Sequence, residues 1–420
     1  MKILYLVHGH ESFSVGGAEN AAFSLFREAV SRTGHDAWIL AAVHTSRGVL
    51  SHGELRSVEG TDREYLIGTA CDWFRFSNAH IPSLRRGLQR LLEHIQPDII
   101  HLQHYSHFGI DVIPLLQTLS PASRIVVTLH EYLALCMHNG QMVKTSQQKL
   151  CDKATPLACS LCYPERSAQD MFLRHHYIST ILESCDALVS PSQFLIDRYR
   201  TCGIDHPLFV MIENGLPAAM GIDASVKQRR SYSSELNRFA FFGQLNLYKG
   251  TLLLLKAAYL LQESGITNFL IQLHGANLEH QPQPFQDEFE LLHERVRDRV
   301  LLRGSYRQPE VKALMADADW MIIPSIWWEN SPVVIQEAFA NLLPIIGSDI
   351  GGTAEKISDR GGITFTAQSE ASLASRIERC IGNRELHQGL VDQIRAPLSA
   401  NDCFDQHLLL YSTMLASPTG

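Results

Sequence analysis

The sequence predicts an α/β protein made of two doubly wound, Rossmann-like parallel sheets, and three observations carry that expectation. Short apolar runs alternate with amphipathic stretches: MKILYLV, AENAAFSLFREAVSR and DAWILAAV read as strand, helix and strand. The rhythm resumes through PSLRRGLQRLLEHIQ, PDIIHLQ, DVIPLLQTL and RIVVTLH, then SAQDMFLRHHYISTILESC, DALVSPS, FLIDRYRTCG and LFVMIENG. Strands that are apolar throughout are buried on both faces by right-handed crossovers, which implies parallel pairing. The alternation then fails over residues 216–237, which are polar and small, and restarts at RFAFFGQ. Finally, 420 residues exceed one ordinary core, at roughly 100–200 residues per domain. The expected organisation is an N-terminal domain over 1–215, a linker over 216–237, and a C-terminal domain over 238–400. A last helix, 401–420, is expected to pack back on the first domain. Ligands of such sheets sit at the carboxyl ends of strands, so the cleft between the domains is the expected binding place.

Composition narrows the classes. An apolar fraction of 45% and a charged fraction of 19% suit a soluble globular chain. With 36 basic and 44 acidic residues the formal charge is −8, which argues against a nucleic-acid partner. MKILYLV runs into His8-Gly9-His10 with no small-residue cleavage site and reads as a first strand. The longest apolar stretch, TLLLLKAAYLL, is interrupted by Lys256 and is shorter than the roughly 18 residues of a membrane span. Nine cysteines without a signal peptide indicate a reducing compartment. The expected location is the cytoplasm.

The second series runs through KGTLLLLKAAYLLQESG, NFLIQLHGA, RVLLRGSY, EVKALMADAD, WMIIPS, PVVIQEAFANL, PIIGSD, GGTAEKI and GITFTA. Within it, WWENSPVVIQEAF places Glu329 before a helix and Glu337 two turns into it. Ser331 is the expected N-cap and Pro332 the first helical residue, where a missing N–H has no consequence. Free amides of that first turn make an anion site. A diphosphate there would have Glu329 on one side, while Glu337 could accept hydrogen bonds from a ribose diol. On spacing alone, two glutamates near a helix start are as readily explained as solvated surface.

The stretch resembles the E-x7-E motif of glycosyltransferase family 4, retaining enzymes of the GT-B fold that use nucleoside-diphosphate sugars. Further segments match in order: GGAEN at 16–20, TLH at 128–130, IENGLP at 212–217, FFGQLNLYKG and SDIGGTAE at 348–355. The resemblance implies that Glu337 binds the ribose and that Glu329 lies beside the donor sugar. It implies that Gly16, Gly17, Gly243, Gln244, Lys249, Asn330 and Ser331 belong to the donor site, and that His130 lies near the transferred sugar. Lys249 would neutralise the departing diphosphate in place of a catalytic metal. The family usually has an arginine five residues before that lysine; this chain has Gln244, which cannot make the bidentate charged contact. Either another group supplies the charge, with Arg303 and the helix starts at Gly352 and Pro332 as the candidates, or turnover is weak.

Other groups are less determinate. His101, His104 and His107 in HLQHYSH invite a metal reading, but their spacing crosses a strand end. His8 and His10 follow the first strand without an assignable role. Cys136, Cys151, Cys159 and Cys162 lie in a loop-like insertion over about 131–166 and end in a C-x2-C pair. Structural zinc and four reduced thiols both fit. Arg85, Arg86 and Arg90 in IPSLRRGLQRLLEHI suit either the wet face of a packing helix or, at most, weak peripheral contact with the inner membrane face. The expected activity is retaining transfer of a hexose-type sugar from a UDP- or GDP-type donor to a carbohydrate or lipid-linked glycan acceptor, in cell-surface polysaccharide or glycoconjugate synthesis. A degenerate nucleotide-sugar-binding scaffold and a sugar-nucleotide epimerase are the alternatives.

Overall fold

The computed structural model describes every residue except Val15, Gln148, 218–219, 222–231 and 417–420, so most of the expected linker lies outside the described residues. The apolar runs form two sheets. In the first, β1 (Lys2–Val7), β2 (Asp36–His44), β3 (Leu55–Ser57), β4 (Glu64–Thr69), β5 (Ile99–Leu102), β6 (Arg124–Thr128), β7 (Ala187–Ser190) and β8 (Phe209–Met211) pair in the order 3-4-2-1-5-6-7-8. Its helices are α1 (Gly17–Ser31), α2 (Ile81–Ile95), α3 (Val112–Leu119), α4 (Pro156–Cys162), α5 (Ala168–Glu183) and α6 (Gln193–Thr201).

In the second sheet, β9 (Arg238–Phe242), β10 (Leu270–His274), β11 (Val300–Gly304), β12 (Trp320–Ile323), β13 (Ile345–Ser348) and β14 (Gly362–Phe365) pair in parallel in the order 11-10-9-12-13-14. They alternate with α7 (Thr251–Glu263), α8 (Gln283–Val296), α9 (Val311–Ala316), α10 (Val333–Ala340), α11 (Gly351–Ile357), α12 (Glu370–Cys380) and α13 (Arg384–Gln393). The chain divides into residues 1–215 with 398–420, and residues 216–397.

The last helix, α14 (Ala400–Ala416), thus belongs to the first unit. Its Phe404, Tyr411 and Met414 pack into one apolar cluster with Tyr5, Phe23, Phe26 and Ile39. A buried polar relay runs beside that contact: His101 on β5 meets the Tyr411 hydroxyl at 2.6 Å and the Thr128 hydroxyl at 2.7 Å. Such interior groups persist because each is partnered.

Three elements depart from the sequence expectation. β3 runs antiparallel to β4 at the sheet edge, so the first sheet is not wholly parallel. These strands are short and half-wet, and lack the continuous apolar run of a central strand. α8 was not expected because QPFQDEFELLHERV is mostly polar; it buries only Phe285, Phe289 and Val296. Within the loop-like insertion, α4 begins where Thr155 accepts from the Ala158 N–H and Pro156 opens the first turn.

The start of the second sheet hangs on Asp319. Its fully buried carboxylate accepts from the Ser233 N–H and hydroxyl at 2.7 and 2.6 Å, and from Arg238 through its N–H, Nε and Nη2 at 2.9–3.3 Å. Burial opposes ionisation, but the bonds from Arg238 and Ser233 outweigh it and hold the carboxyl below its ordinary value. Asp319→Ala is expected to lower unfolding stability by on the order of 3 kcal/mol, because it strands those donors. The folded pKa is depressed, so this stabilisation is present above the ordinary carboxyl range and lost as pH falls. Urea unfolding of parent and variant at neutral pH should show the gap; equal midpoints would reject this role.

Candidate functional site

In the second unit a single carboxylate oxygen gathers the strand ends. Glu329 Oε1 accepts from Lys249 Nζ at 2.6 Å, Ser325 Oγ at 2.7 Å and Trp327 Nε1 at 2.9 Å. Lys249 comes from the loop after β9 and the other three from the loop after β12, so the site lies at carboxyl ends of adjacent central strands. Two glycines permit the convergence. Gly250 has φ 71°, and a Cβ there would stand 1.8 Å from the Pro324 carbonyl oxygen. Gly352 donates its N–H to the Glu329 carbonyl at 2.7 Å, and its Cβ would fall 1.4 Å from the Asn330 carbonyl oxygen. Only glycine admits backbones this close.

Glu337 sits in the second turn of α10 and is 8% exposed. Burial pushes its carboxyl up to about 7. Tyr306 lies within its electrostatic reach, and burial, then Glu337, raises that phenol to about 12. Tyr306 stands edge-on to Phe242 at 5.5 Å, and Phe242 stacks on His274 at 4.6 Å with planes 6° apart. Burial holds the His274 ring down at about 4, so it is neutral at physiological pH. This aromatic group was not singled out from the sequence; the strand-end positions of Phe242 and His274 were the available signal.

Several expectations are corrected. Ser331 is not the N-cap of α10: Pro332 takes that position with ψ 117°, and the helix starts at Val333. The extended ψ of Pro332 delays helical geometry by one residue, and the buried Ser331 hydroxyl has no hydrogen-bond partner among the described residues. Gln244 is exposed, and its Oε1 accepts from Asn246 Nδ2 at 3.2 Å. Asn246 in turn accepts the Lys249 N–H at 2.9 Å, and the Gly243 carbonyl approaches so near Gly275 that a Cβ there would lie 2.1 Å away. Arg303 gives its Nε to Gln272 Oε1 at 2.8 Å rather than joining the Lys249–Glu329 pair.

In the first unit, Glu19 occupies the corresponding place in the opening turn of α1. It accepts from Ser14 Oγ at 2.6 Å and stands 3.2 Å from His8 Nε2. Burial alone would raise this carboxyl, yet the hydrogen bonds from His8 and Ser14 hold it at about 2. A Cβ on Gly16 would lie 2.6 Å from Glu19 Oε2, whereas one on Gly17 would meet nothing within 4 Å. Gly16 therefore makes room for Glu19, and Gly17 leaves an open surface. The glutamate lies inside GGAEN but had received no role.

His130 lies two residues past the end of β6, with Nε2 3.1 Å from Gln103 Oε1, while Gln103 Nε2 faces His101 at 3.1 Å. Burial, then His8, lowers the His130 ring to about 3. It is a neutral hydrogen-bonding group, not a cation. His101, His104 and His107 each have separate company: His101 is in the relay with Tyr411, His104 Nε2 stands 3.4 Å from Glu131, and His107 Nδ1 donates to the His8 carbonyl at 2.8 Å. Burial raises Glu131 to about 8, against the opposing pull of the Leu133 N–H and Arg174. His10 is taken by Glu64 at 3.0 Å and Ser12 at 2.8 Å. On α2 the leucines are buried and Arg85, Arg86 and Arg90 exposed, as a packing helix requires.

Cys136, Cys151, Cys159 and Cys162 line one small pocket in the same unit. Among the described residues no disulfide joins any of the nine cysteines, and no group of three or more His, Cys, Asp and Glu side chains is placed to hold a metal ion.

Two family models match consecutive parts of the chain: "Glycosyltransferase Family 4" over residues 15–219 and "Glycosyl transferases group 1" over residues 225–396. No curated protein matches the chain in sequence. Among solved structures, it is similar to sucrose-phosphate synthase from Thermosynechococcus elongatus (TM-score 0.68, 16% identity, 100% of each chain covered). It is similar to Anabaena HepE in complex with UDP and glucose (0.64, 17%, 98% of this chain and 100% of that one). A third is the catalytic domain of starch synthase IV from Arabidopsis thaliana bound to ADP and acarbose (0.61, 16%, 99% of each). At these identities the likeness concerns the fold.

Glu337 provides a pH signature. Its folded pKa of about 7 exceeds the ordinary 4.5, so between those values the folded chain holds a proton that the unfolded chain releases. Its contribution to stability therefore falls as pH rises through that window. Glu337→Gln should remove this slope and gain up to about 3 kcal/mol above the window. Unfolding curves at about pH 5 and about pH 8 test it; an unchanged slope would show that Glu337 titrates normally.

Proposed function

Because the chain is a GT-B glycosyltransferase of the family 4 type, we propose that it transfers a hexose-type sugar from a UDP- or GDP-type donor to an acceptor hydroxyl with retention of configuration. The observation that carries this is Lys249 and Glu329 joined at 2.6 Å at the strand ends, with buried Glu337 on the helix that follows. Glu337 accepts the ribose hydroxyls, Lys249 meets the diphosphate, and Glu329 lies against the donor sugar and aims the lysine. As the bond from the sugar's anomeric carbon to the diphosphate oxygen breaks, charge grows on the leaving group; Lys249 and the first amides of α10 offset it. The acceptor oxygen bonds to the same face of that carbon, and its proton passes to the departing diphosphate. Gly16, Gly17 and neutral His130 of the first unit serve the reacting sugars, with Gln103 fixing the histidine ring.

The acceptor is a carbohydrate or lipid-linked glycan, and the process is cell-surface polysaccharide or glycoconjugate synthesis on the cytoplasmic side. No helix of the described residues is long and apolar enough to cross a membrane. A second reading, a degenerate sugar-nucleotide-binding protein, draws on the exposed neutral Gln244. The two differ in turnover.

Release of nucleoside diphosphate from UDP- and GDP-sugars, measured with and without a mixture of glycan acceptors, tests the assignment. Acceptor-dependent release is expected. Glu337→Ala should weaken nucleotide binding on the order of tenfold or more, from loss of the hydrogen bonds its carboxyl makes to the ribose. Glu329→Ala should depress turnover more than affinity. Nucleotide binding without turnover would favour the degenerate site, and unchanged affinity in Glu337→Ala would remove its ribose role.

A further inference from the structure

The insertion that follows His130 is held in an unusual way. From residue 131 to 166 its only regular element among the described residues is the seven-residue α4, helped by one isolated bridge between Val143 and Leu150. α4 presents the wrong face for hydrophobic docking. Leu157 and Leu161 are 68% and 71% exposed, whereas Cys159 and Cys162 face the pocket. A short helix normally anchors through its apolar side. Here the anchor lies on the cysteine side.

The four cysteines reach that pocket from three pieces of chain. Cys136 comes from the turn after Tyr132, where its N–H donates to the Tyr132 carbonyl at 2.8 Å. Cys151 is set by its N–H on the Met142 carbonyl at 2.7 Å, and Cys159 and Cys162 lie three apart on one helix face. The Thr145 hydroxyl fastens the loop to the end of α4 through the Cys162 carbonyl at 2.8 Å. The thiols ring the pocket rather than meeting at a point.

A buried charge lies alongside. Arg174 is 3% exposed and donates to the carbonyls of Phe74, Ala134 and Leu133 at 2.5–2.9 Å. Among the described residues it has no carboxylate at ion-pair distance, although Glu131, Tyr105, Cys136 and Cys159 lie within its electrostatic reach. A buried guanidinium held only by neutral carbonyls calls for an anion nearby.

We propose that Cys136, Cys151, Cys159 and Cys162 bind one structural zinc ion as a tetrathiolate. A Zn2+ ion accepts four sulfurs tetrahedrally at about 2.3 Å, and this all-sulfur set selects zinc or an iron–sulfur centre over hard cations. Binding displaces four S–H protons, so Zn2+ and four thiols give a dianionic centre and four protons. That double negative charge faces Arg174. The ion draws the ringed thiols together, locks α4 with its leucines outward, and fixes the insertion that begins directly after His130. The assignment is independent of the transferase reading, because its readout is the metal.

Protein purified without a metal-affinity step should contain one zinc per chain by elemental analysis. After chelation, added Co2+ should produce the thiolate charge-transfer absorption of a tetrahedral sulfur site, and zinc should displace it. Chelation should open the 131–166 segment to proteolysis before the rest of the chain. Cys159→Ser/Cys162→Ser should lose the ion. Since that variant can fail to fold, the decisive sample is the parent: no stoichiometric zinc together with no cobalt–thiolate absorption overturns the site, as does iron in place of zinc. Full zinc retention in a folded double variant overturns the ligand set.

Discussion

A buried carboxylate must find donors, and much of the geometry at the second unit's strand ends follows from how Glu329 finds its own. Three donors converge on one of its oxygens, and one of them, Lys249, is 80 positions away in sequence. To bring that lysine in, the start of α7 must press on the end of β12, which Gly250 permits. To hold the glutamate backbone, α11 must start against the β12–α10 loop, which Gly352 permits. Side chains at either glycine would force strand ends apart by more than the hydrogen bonds can follow. The geometry of the pair is thus set by packing, and its charge by mutual neutralisation in a poorly solvated place.

The first unit solves a similar problem with imidazoles. His8 meets Glu19, His104 meets Glu131, and His130 meets Gln103, so the ends of β1, β5 and β6 are joined by polar contacts instead of by apolar packing. Burial keeps His104 and His130 neutral. Neutral rings can donate and accept hydrogen bonds without bringing repelling charge to the strand ends. Behind them, His101 ties β5 and β6 to α14, so the helix returning from the chain end supports the same strand ends.

The insertion shows a different economy of structure. The central strands β5 and β6 are buried, and the segment after His130 adds Tyr132, Ala134, Leu135, Met142 and Val143 to the interior beside them. Thr155 and Arg174 add polar ties to that small core. The leucines of α4 stay outside it, so that helix must be held by other contacts.

Much of the architecture was legible from local pattern. The βα alternation, the break after residue 215, the helix carrying Glu337 and the returning last helix all follow from periodicity that each segment holds within itself. Glu329, Glu337, Lys249 and His130 were marked by their positions at strand ends and by motif resemblance. The antiparallel β3, the polar α8 and the one-residue shift at Ser331 were not, because edge strands and wet helices carry weak periodicity, and a proline's ψ is set by its neighbours. What the sequence by itself determined was the order of the elements and the residue types at their ends. Only the tertiary structure decided that Lys249 is shared with Glu329, that Glu19 lies beneath Gly16, that Arg303 is spent on Gln272, and that Glu337 is buried enough to titrate near neutrality. Those outcomes depend on desolvation and on contacts between distant segments, and neither is written in the spacing of residues along the chain.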